Sequence, residues 1–225
     1  SVLAKFLVEM IAITTLILFG VRTHIVYIGE IANIIITFIW ILGISNAFNH
    51  LDVIDGLAAG SAILASLAFF VISLSGQNVL TALLFLSLSG ATLSFFLYNL
   101  PPAKIYMGNA GSHFLGFILA ALALVTHYAP LDRKIALVTP LLILGLPIFD
   151  TSFLVLVRIM KKRLPIKKSN DHFALRLLAL GYSKKKALLV MLALGSFFCL
   201  CGILVSRMPN ILSIFIIACA VLASI

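Results

Sequence analysis

The stretch NAFNHLDVIDGLAAG places hard oxygen donors at three-residue spacing: Asn46, Asn49, Asp52 and Asp55. Carboxylate and amide oxygens are what Mg²⁺ prefers, usually with substrate phosphates completing the shell. On an ideal helix each i, i+3 step drifts by about 60°, which would leave Asn46 and Asp55 on opposite sides. The four side chains converge only if a helix ends, tightens or turns among them. Gly56 and Gly60 follow at once and permit another backbone to come close. Capping a helix end would need one such residue, not four.

Two further segments carry chemistry. In NLPPAKIYMGNAGSHFLGF, Pro101 and Pro102 end the preceding helix, and a new one starts near Ser112. Gly108 and Gly111 flank Asn109 ahead of that start. Small residues before a helix N-terminus leave backbone N–H groups free for an anion, and Lys104 adds positive charge. In PIFDTSFLVLVRIMKKRLPIKKSNDHFALRLLALGYS, Asp150 and Arg158 lie about two turns apart. Asp171 and His172 stand in a basic, partly amphipathic stretch, where His172 could touch a phosphate or move a proton. His24, His113 and His127 receive no role, and Glu9 and Glu30 lie within or near apolar runs.

The elements that must position these residues are greasy. The 225 residues are 63% hydrophobic, with a mean hydropathy of +1.23, where soluble domains run near half apolar. The composition predicts an all-α, polytopic transmembrane helix bundle, a single integral membrane domain over 1–225. Taking about 20 apolar residues per crossing, eight spans are expected: 3–21, 29–48, 57–76, 79–98, 112–128, 135–157, 187–206 and 210–225. Pro140 and Pro147 should kink the sixth. Cys199, Cys201 and Cys219 sit in apolar runs and imply neither a disulfide framework nor a metal clamp. The chain starts at Ser1 and stops at Ile225 inside an apolar run, so it reads as part of something longer.

Charge orients the bundle. Ten of the 16 Lys and Arg lie between Arg158 and Lys186 within a net charge of +9. The positive-inside rule makes that segment cytoplasmic, and counting spans back puts 46–60 and 99–113 on the same side as 158–186. Basic clusters beside spans also touch anionic headgroups, so membrane lipids are expected partners. Nucleic acid is excluded, since there is no soluble domain and no aromatic interleaving of the basic residues.

Taken together, the three segments resemble the polyprenyl-phosphate N-acetylhexosamine-1-phosphate transferases, the WecA/MraY-like multi-pass enzymes, from about Lys5 to Gly195. NAFNHLDVIDGLAAG looks like the family's N-A-x-N-x-x-D-x-x-D-G-L-A. NLPPAKIYMGNAGSHFLGF is similar to N-x-x-P-A-x-x-F-M-G-D-x-G-S-x-x-x-G-F, and PIFDTSFLVLVR to P-I-x-D-T-x-x-V-x-x-x-R. The CDP-alcohol phosphatidyltransferases also share D-x-x-D-G-x-x-A. Gly60 stands where their arginine belongs, however, and no Asp occurs between Asp55 and Asp132.

The family resemblance implies transfer of N-acetylhexosamine 1-phosphate, most often GlcNAc-1-P, from a UDP-sugar to undecaprenyl or another polyprenyl phosphate. UMP is released, and Mg²⁺ is required, with Mn²⁺ as a substitute. It implies catalytic roles for Asp52, Asp55 and His172, and metal contacts from Asn49, Asn109, Asp52 and Asp55. Substrate contacts would come from Asn46, Lys104, Gly108, Gly111, Asp150, Arg158 and Asp171. A homodimer is an expected assembly, and the bacterial inner membrane the expected location, with the site on its cytoplasmic face. Three departures stand out. Asn109 replaces an acid, Ala174 and Leu175 follow His172 where more histidines are usual, and the family's Asp-Asp pair should lie upstream of Lys5. The loop around His172 favours the branch that starts surface polysaccharides, O-antigen-like chains or teichoic acids. The competing class is an ion-coupled transporter using Glu9, Glu30 and Asp150, although such sites usually lie near mid-membrane between repeats.

Overall fold

The computed structural model describes residues 2–128, 133–162 and 171–222. It is all helix: α1 (Val2–Leu18), α2 (Gly29–Leu51), α3 (Leu57–Ser75), α4 (Val79–Asn99), α5 (Gly108–Leu124), a 3₁₀ segment (Lys134–Val138), α6 (Thr139–Ile143), α7 (Gly145–Met160), α8 (Phe173–Ala179), α9 (Lys184–Arg207) and α10 (Asn210–Leu222). Helix α3 packs on α4, α2 on α5 and α7, and α9 on α3 and α6. Fully buried Ile41, Phe48, Phe69, Phe85 and Leu119 form one core shared by α2, α3, α4 and α5, and a second core around Leu57, Leu146 and Met191 seats α9. Large apolar side chains such as Ile31, Leu80 and Ile211 face outward, as expected where hydrocarbon is the solvent.

The expectation of eight spans is corrected. Among the described residues, four helices (α2, α3, α4 and α9) are long and apolar enough to cross a membrane. A fifth counts only if the bent pair Lys134–Ile143 and Gly145–Met160 is one crossing. Apolar runs continue past the points where helices stop. Helix α5 has 17 residues, about 25 Å at 1.5 Å per residue against a hydrocarbon core of about 30 Å, and the described residues of α1 and α10 number 17 and 13. The kink expected from Pro140 and Pro147 is a bend of 76°. Pro147 has no N–H to give the carbonyl one turn back. That carbonyl, of Ile143, instead accepts from Cys199 Sγ at 3.5 Å.

Connections alternate between the two ends of the bundle. The turn between α2 and α3, the loop between α4 and α5, and the N-terminus of α9 meet at one end, where the polar residues gather. The other end carries Arg133, which donates to the Ser206 carbonyl, and Arg207, which donates to Ser75 Oγ.

Candidate active site

Helix α2 stops at Leu51, and the chain turns through Asp52–Gly56 into α3. Gly56 makes the turn: its φ is +83°, and a Cβ there would lie 3.1 Å from Leu188 and 3.3 Å from Phe96. Its N–H donates to Asn99 Oδ1 at 2.9 Å, while Asn99 Nδ2 donates to the Ile105 carbonyl at 2.8 Å. One buried side chain at the end of α4 thus holds the first two polar segments together. Asp55 tightens the tie, because its Oδ2 accepts from Ala103 N–H at 3.4 Å and faces Lys184 Nζ at 3.5 Å. Asn99 and Lys184 were not among the residues singled out from sequence. The only sequence signal for Asn99 is its place at the head of the NLPPAK motif. Asn99→Ala strands the buried Gly56 N–H, so a loss of about 1–3 kcal/mol is expected, read as a lower melting temperature of the detergent-solubilised parent protein.

A second tie runs between α2 and α5. Ser112 Oγ donates to Asn49 Oδ1 at 3.2 Å and also lies within reach of the Gly108 and Asn109 carbonyls. The helices cross closely enough for this because Gly116 has no side chain. A Cβ there would sit 2.7 Å from Ser45 Cα and 2.8 Å from the Ile44 carbonyl oxygen. Asn46 turns back on its own helix, its Nδ2 donating to the Leu42 carbonyl at 2.8 Å. Asn109, Lys104 and Gly108 are exposed around the first turn of α5. Gly111 lies half-buried there, its open face filled by Met107.

The third segment builds a buried pair. Asp150 on α7 is fully buried. Its Oδ2 lies 2.8 Å from His172 Nδ1, and its Oδ1 accepts the Phe173 N–H at 3.0 Å. Arg158, two turns along α7, is also buried, and Lys161 pairs with Asp171. Part of the basic loop expected over 158–186, residues 163–170, lies outside the described residues. His50, in the last turn of α2, brings its ring 6.4 Å from that of His172 and so links this pair to the carboxylate turn. Its place within the quoted first motif gave it no distinction in sequence.

The electrostatics of the turn suit a cation. Burial, then the neighbouring Asp55 charge, push the Asp52 carboxyl above its ordinary range. Among the described residues no three His, Cys, Asp or Glu side chains converge on a metal position. Mg²⁺ needs no such cage, since one or two carboxylates plus substrate phosphates hold it. Asp52 and Asp55 fit that requirement, with the amide oxygens of Asn49 and Asn109 as further donors. The raised pKa has a sign. Between the ordinary carboxylate pKa and the raised one, the folded state binds more protons, so Asp52 makes folding less favourable as pH rises through that window. In chelator, Asp52→Asn should therefore melt higher than the native protein near neutral pH, with the gap closing in acid. Added Mg²⁺ should raise the native melting temperature more than that of Asp52→Asn. Equal Mg²⁺ shifts would remove Asp52 from the metal shell.

Three cavities open away from this turn. An apolar one of about 320 Å³ runs along α7 beside the bend, lined by Leu142, Ile148, Phe149, Phe153 and Phe198. Two others open at the far end of the bundle, around His127, Tyr128 and Arg133 and around Arg22, Trp40 and Leu137.

Residues 1–127 match the model of Glycosyl transferase family 4. The chain is similar to the probable undecaprenyl-phosphate N-acetylglucosaminyl 1-phosphate transferase of Bacillus subtilis strain 168, 40% identical over 182 residues, covering 81% of this chain and 51% of that protein. It is 31% identical over 217 residues to the decaprenyl-phosphate N-acetylglucosaminephosphotransferase of Mycolicibacterium smegmatis, covering 84% and 53% of the two chains. A shorter match, 47% over 91 residues, covers 40% of this chain and 28% of the phospho-N-acetylmuramoyl-pentapeptide-transferase of Lactiplantibacillus plantarum. The chain spans about half the length of the first two relatives.

Proposed function

The chain belongs to glycosyl transferase family 4, and from that premise we propose that its parent protein transfers N-acetylhexosamine 1-phosphate from a UDP-sugar to polyprenyl phosphate. The observation that carries this reading is the meeting of three separate polar segments on one carboxylate. Asp55, from the α2–α3 turn, reaches Ala103 in the α4–α5 loop and Lys184 at the start of α9. The printed names of the two longer matches favour N-acetylglucosamine as the sugar and a prenyl phosphate as the acceptor.

In the proposed step an oxygen of the lipid phosphate attacks the β-phosphorus of the UDP-sugar. The bond from that phosphorus to the bridging oxygen breaks, and UMP leaves with the oxygen and its electron pair. The attacking phosphate is already an anion, so no base is required, and catalysis is mostly positioning and charge neutralisation. Mg²⁺, when bound, would neutralise phosphate charge. Asp52 and Asp55, with Asn49 and Asn109, would hold it. Lys184 holds the Asp55 carboxylate from the far side, and Asp150 orients the His172 ring through Nδ1, which leaves Nε2 for the diphosphate. Arg158 and Lys104 add positive charge, the Gly108–Gly111 turn offers backbone N–H groups, and Asn46 and Asp171 shape the walls. The apolar cavity along α7 offers hydrocarbon-lined room for a prenyl chain on the helix that carries Asp150.

The excess of Lys and Arg at this end supports a site on the cytoplasmic side of a bacterial inner membrane, where nucleotide sugars are made. The transporter reading loses support from the acids themselves. Glu30 is paired with Arg22 at an exposed position, and Glu9 lies 2.8 Å from His113 Nδ1. The test is the parent protein in detergent with undecaprenyl phosphate, Mg²⁺ and a panel of UDP-sugars. Release of UMP with lipid-linked product, dependent on both metal and lipid, is expected. Folded protein that yields no product with any donor would overturn the proposal.

A further inference from the structure

His50 meets the His172 ring edge-on, yet one of its own ring nitrogens is left without a hydrogen bond among the described residues. Its Nδ1 is buried and has no hydrogen-bond partner among the described residues. Native interiors rarely leave such an atom unpaired unless a group from outside the chain completes it. The neighbours of the ring come from several elements. Lys5 stands on α1, His113 on α5, Asp150 and Arg158 on α7, and His172 just before α8, all within Coulombic reach of this corner. His172 is committed through Nδ1 to Asp150 Oδ2 at 2.8 Å, and His113 Nδ1 lies 3.1 Å from Ser45 Oγ and 2.8 Å from Glu9 Oε1. His113 Nε2 is a second buried nitrogen without a hydrogen-bond partner among the described residues. Lys5 and Arg158 bring basic side chains to this corner. Of the two carboxylates, Glu9 faces His113, and Asp150 is already bonded to His172 and to the Phe173 N–H. An imidazole nitrogen donates in one of its tautomers, so the buried Nδ1 can serve an oxygen from outside the chain.

We propose that His50 is a substrate-binding residue whose Nδ1 donates a hydrogen bond to an anionic phosphate oxygen, at the corner where His172, Arg158 and Lys5 also stand. The inference rests on the phosphosugar-transfer reading, which supplies two candidate phosphates, the donor diphosphate and the lipid phosphate. It also gives this chain a second imidazole beside His172 from α2, a helix that the loop motif does not include.

The test uses the full-length parent protein with His50→Leu and His50→Asn. Leucine fills the space without a donor, and asparagine places its amide near the position of Nδ1. Melting temperature without substrates, kcat, and KM for UDP-N-acetylglucosamine and for undecaprenyl phosphate are measured. An orphan nitrogen does nothing for the fold, so His50→Leu should melt no lower than the native protein. One KM should rise about tenfold in His50→Leu, as for one lost hydrogen bond to a charged group, and His50→Asn should recover most of it. A rise in the nucleotide-sugar KM assigns the contact to the diphosphate, and a rise in the lipid KM assigns it to the acceptor. Two unchanged KM values, or a lower melting temperature with unchanged KM, overturn the inference. If the native protein makes no product, the transfer reading fails. Calorimetry with inorganic pyrophosphate then decides His50 separately: weaker binding to His50→Leu than to the native protein keeps the inference, and equal binding removes it.

Discussion

Asp55→Ala lowers turnover of the parent protein about 10²–10³-fold, the scale of removing one preorganised charge contact at a reacting centre. Asp55 Oδ2 is where three segments meet, through Ala103 N–H and Lys184 Nζ. Alanine removes the carboxylate that faces Lys184 and leaves Asp52 as the one acid of the turn. Asp55→Asn separates the two contributions. The amide oxygen still accepts from Ala103, so the loop stays in place while the charge is gone. Both variants should lose rate by similar factors, but only alanine should also lose melting temperature. The rate is taken per folded molecule, with folding judged by a single elution peak and a cooperative melt. An alanine variant turning over at the native rate would take Asp55 out of the mechanism.

Asp150→Ala should have the larger effect on stability, about 3–5 kcal/mol, because removing one partner of a buried pair leaves the other unpaired. Asp150 is fully buried and accepts from both His172 and the Phe173 backbone N–H. Its loss frees the start of α8 as well as the imidazole. His172→Ala should cost less, since Asp150 keeps the Phe173 bond. In a double-mutant cycle the pair should show clear coupling, with the double variant less destabilised than the two singles summed. Additive losses would mean that the 2.8 Å contact contributes nothing to the fold.

The residues that gather at the polar end were easier to read in the sequence than the frame that holds them. In a chain this apolar, every carboxylate needs a reason, so Asp52, Asp55 and Asp150 stood out against their surroundings. The bend at α6–α7 was legible because Pro147 removes an N–H, a local event. The number of crossings was not, since a hydropathy window counts apolar residues and does not register where the hydrogen-bond ladder stops. That is how 17-residue α5 came to be counted as a full span. Asn99, Ser112, Lys184 and His50 escaped notice for another reason. Each acts through a partner more than 40 positions away, and one chain read alone carries no record of such pairs. Cys199 looked like filler in an apolar run, and only the fold shows its thiol turned to the carbonyl that Pro147 leaves open.

The crossing of α2 and α5 restricts how sequences of this kind can vary. At Gly116 even a methyl group would fall 2.7 Å from Ser45 Cα and 3.0 Å from Phe48 Cβ, closer than real carbon atoms settle. Any replacement must pry the two helices apart and draw Ser112 away from Asn49, one turn further along. The separation of these helices therefore behaves as a constant, and variation at this end has to be reached through side chains rather than backbone spacing. In a library built on this scaffold, a variant altered at position 116 should drop out at the first round of any selection for folded protein.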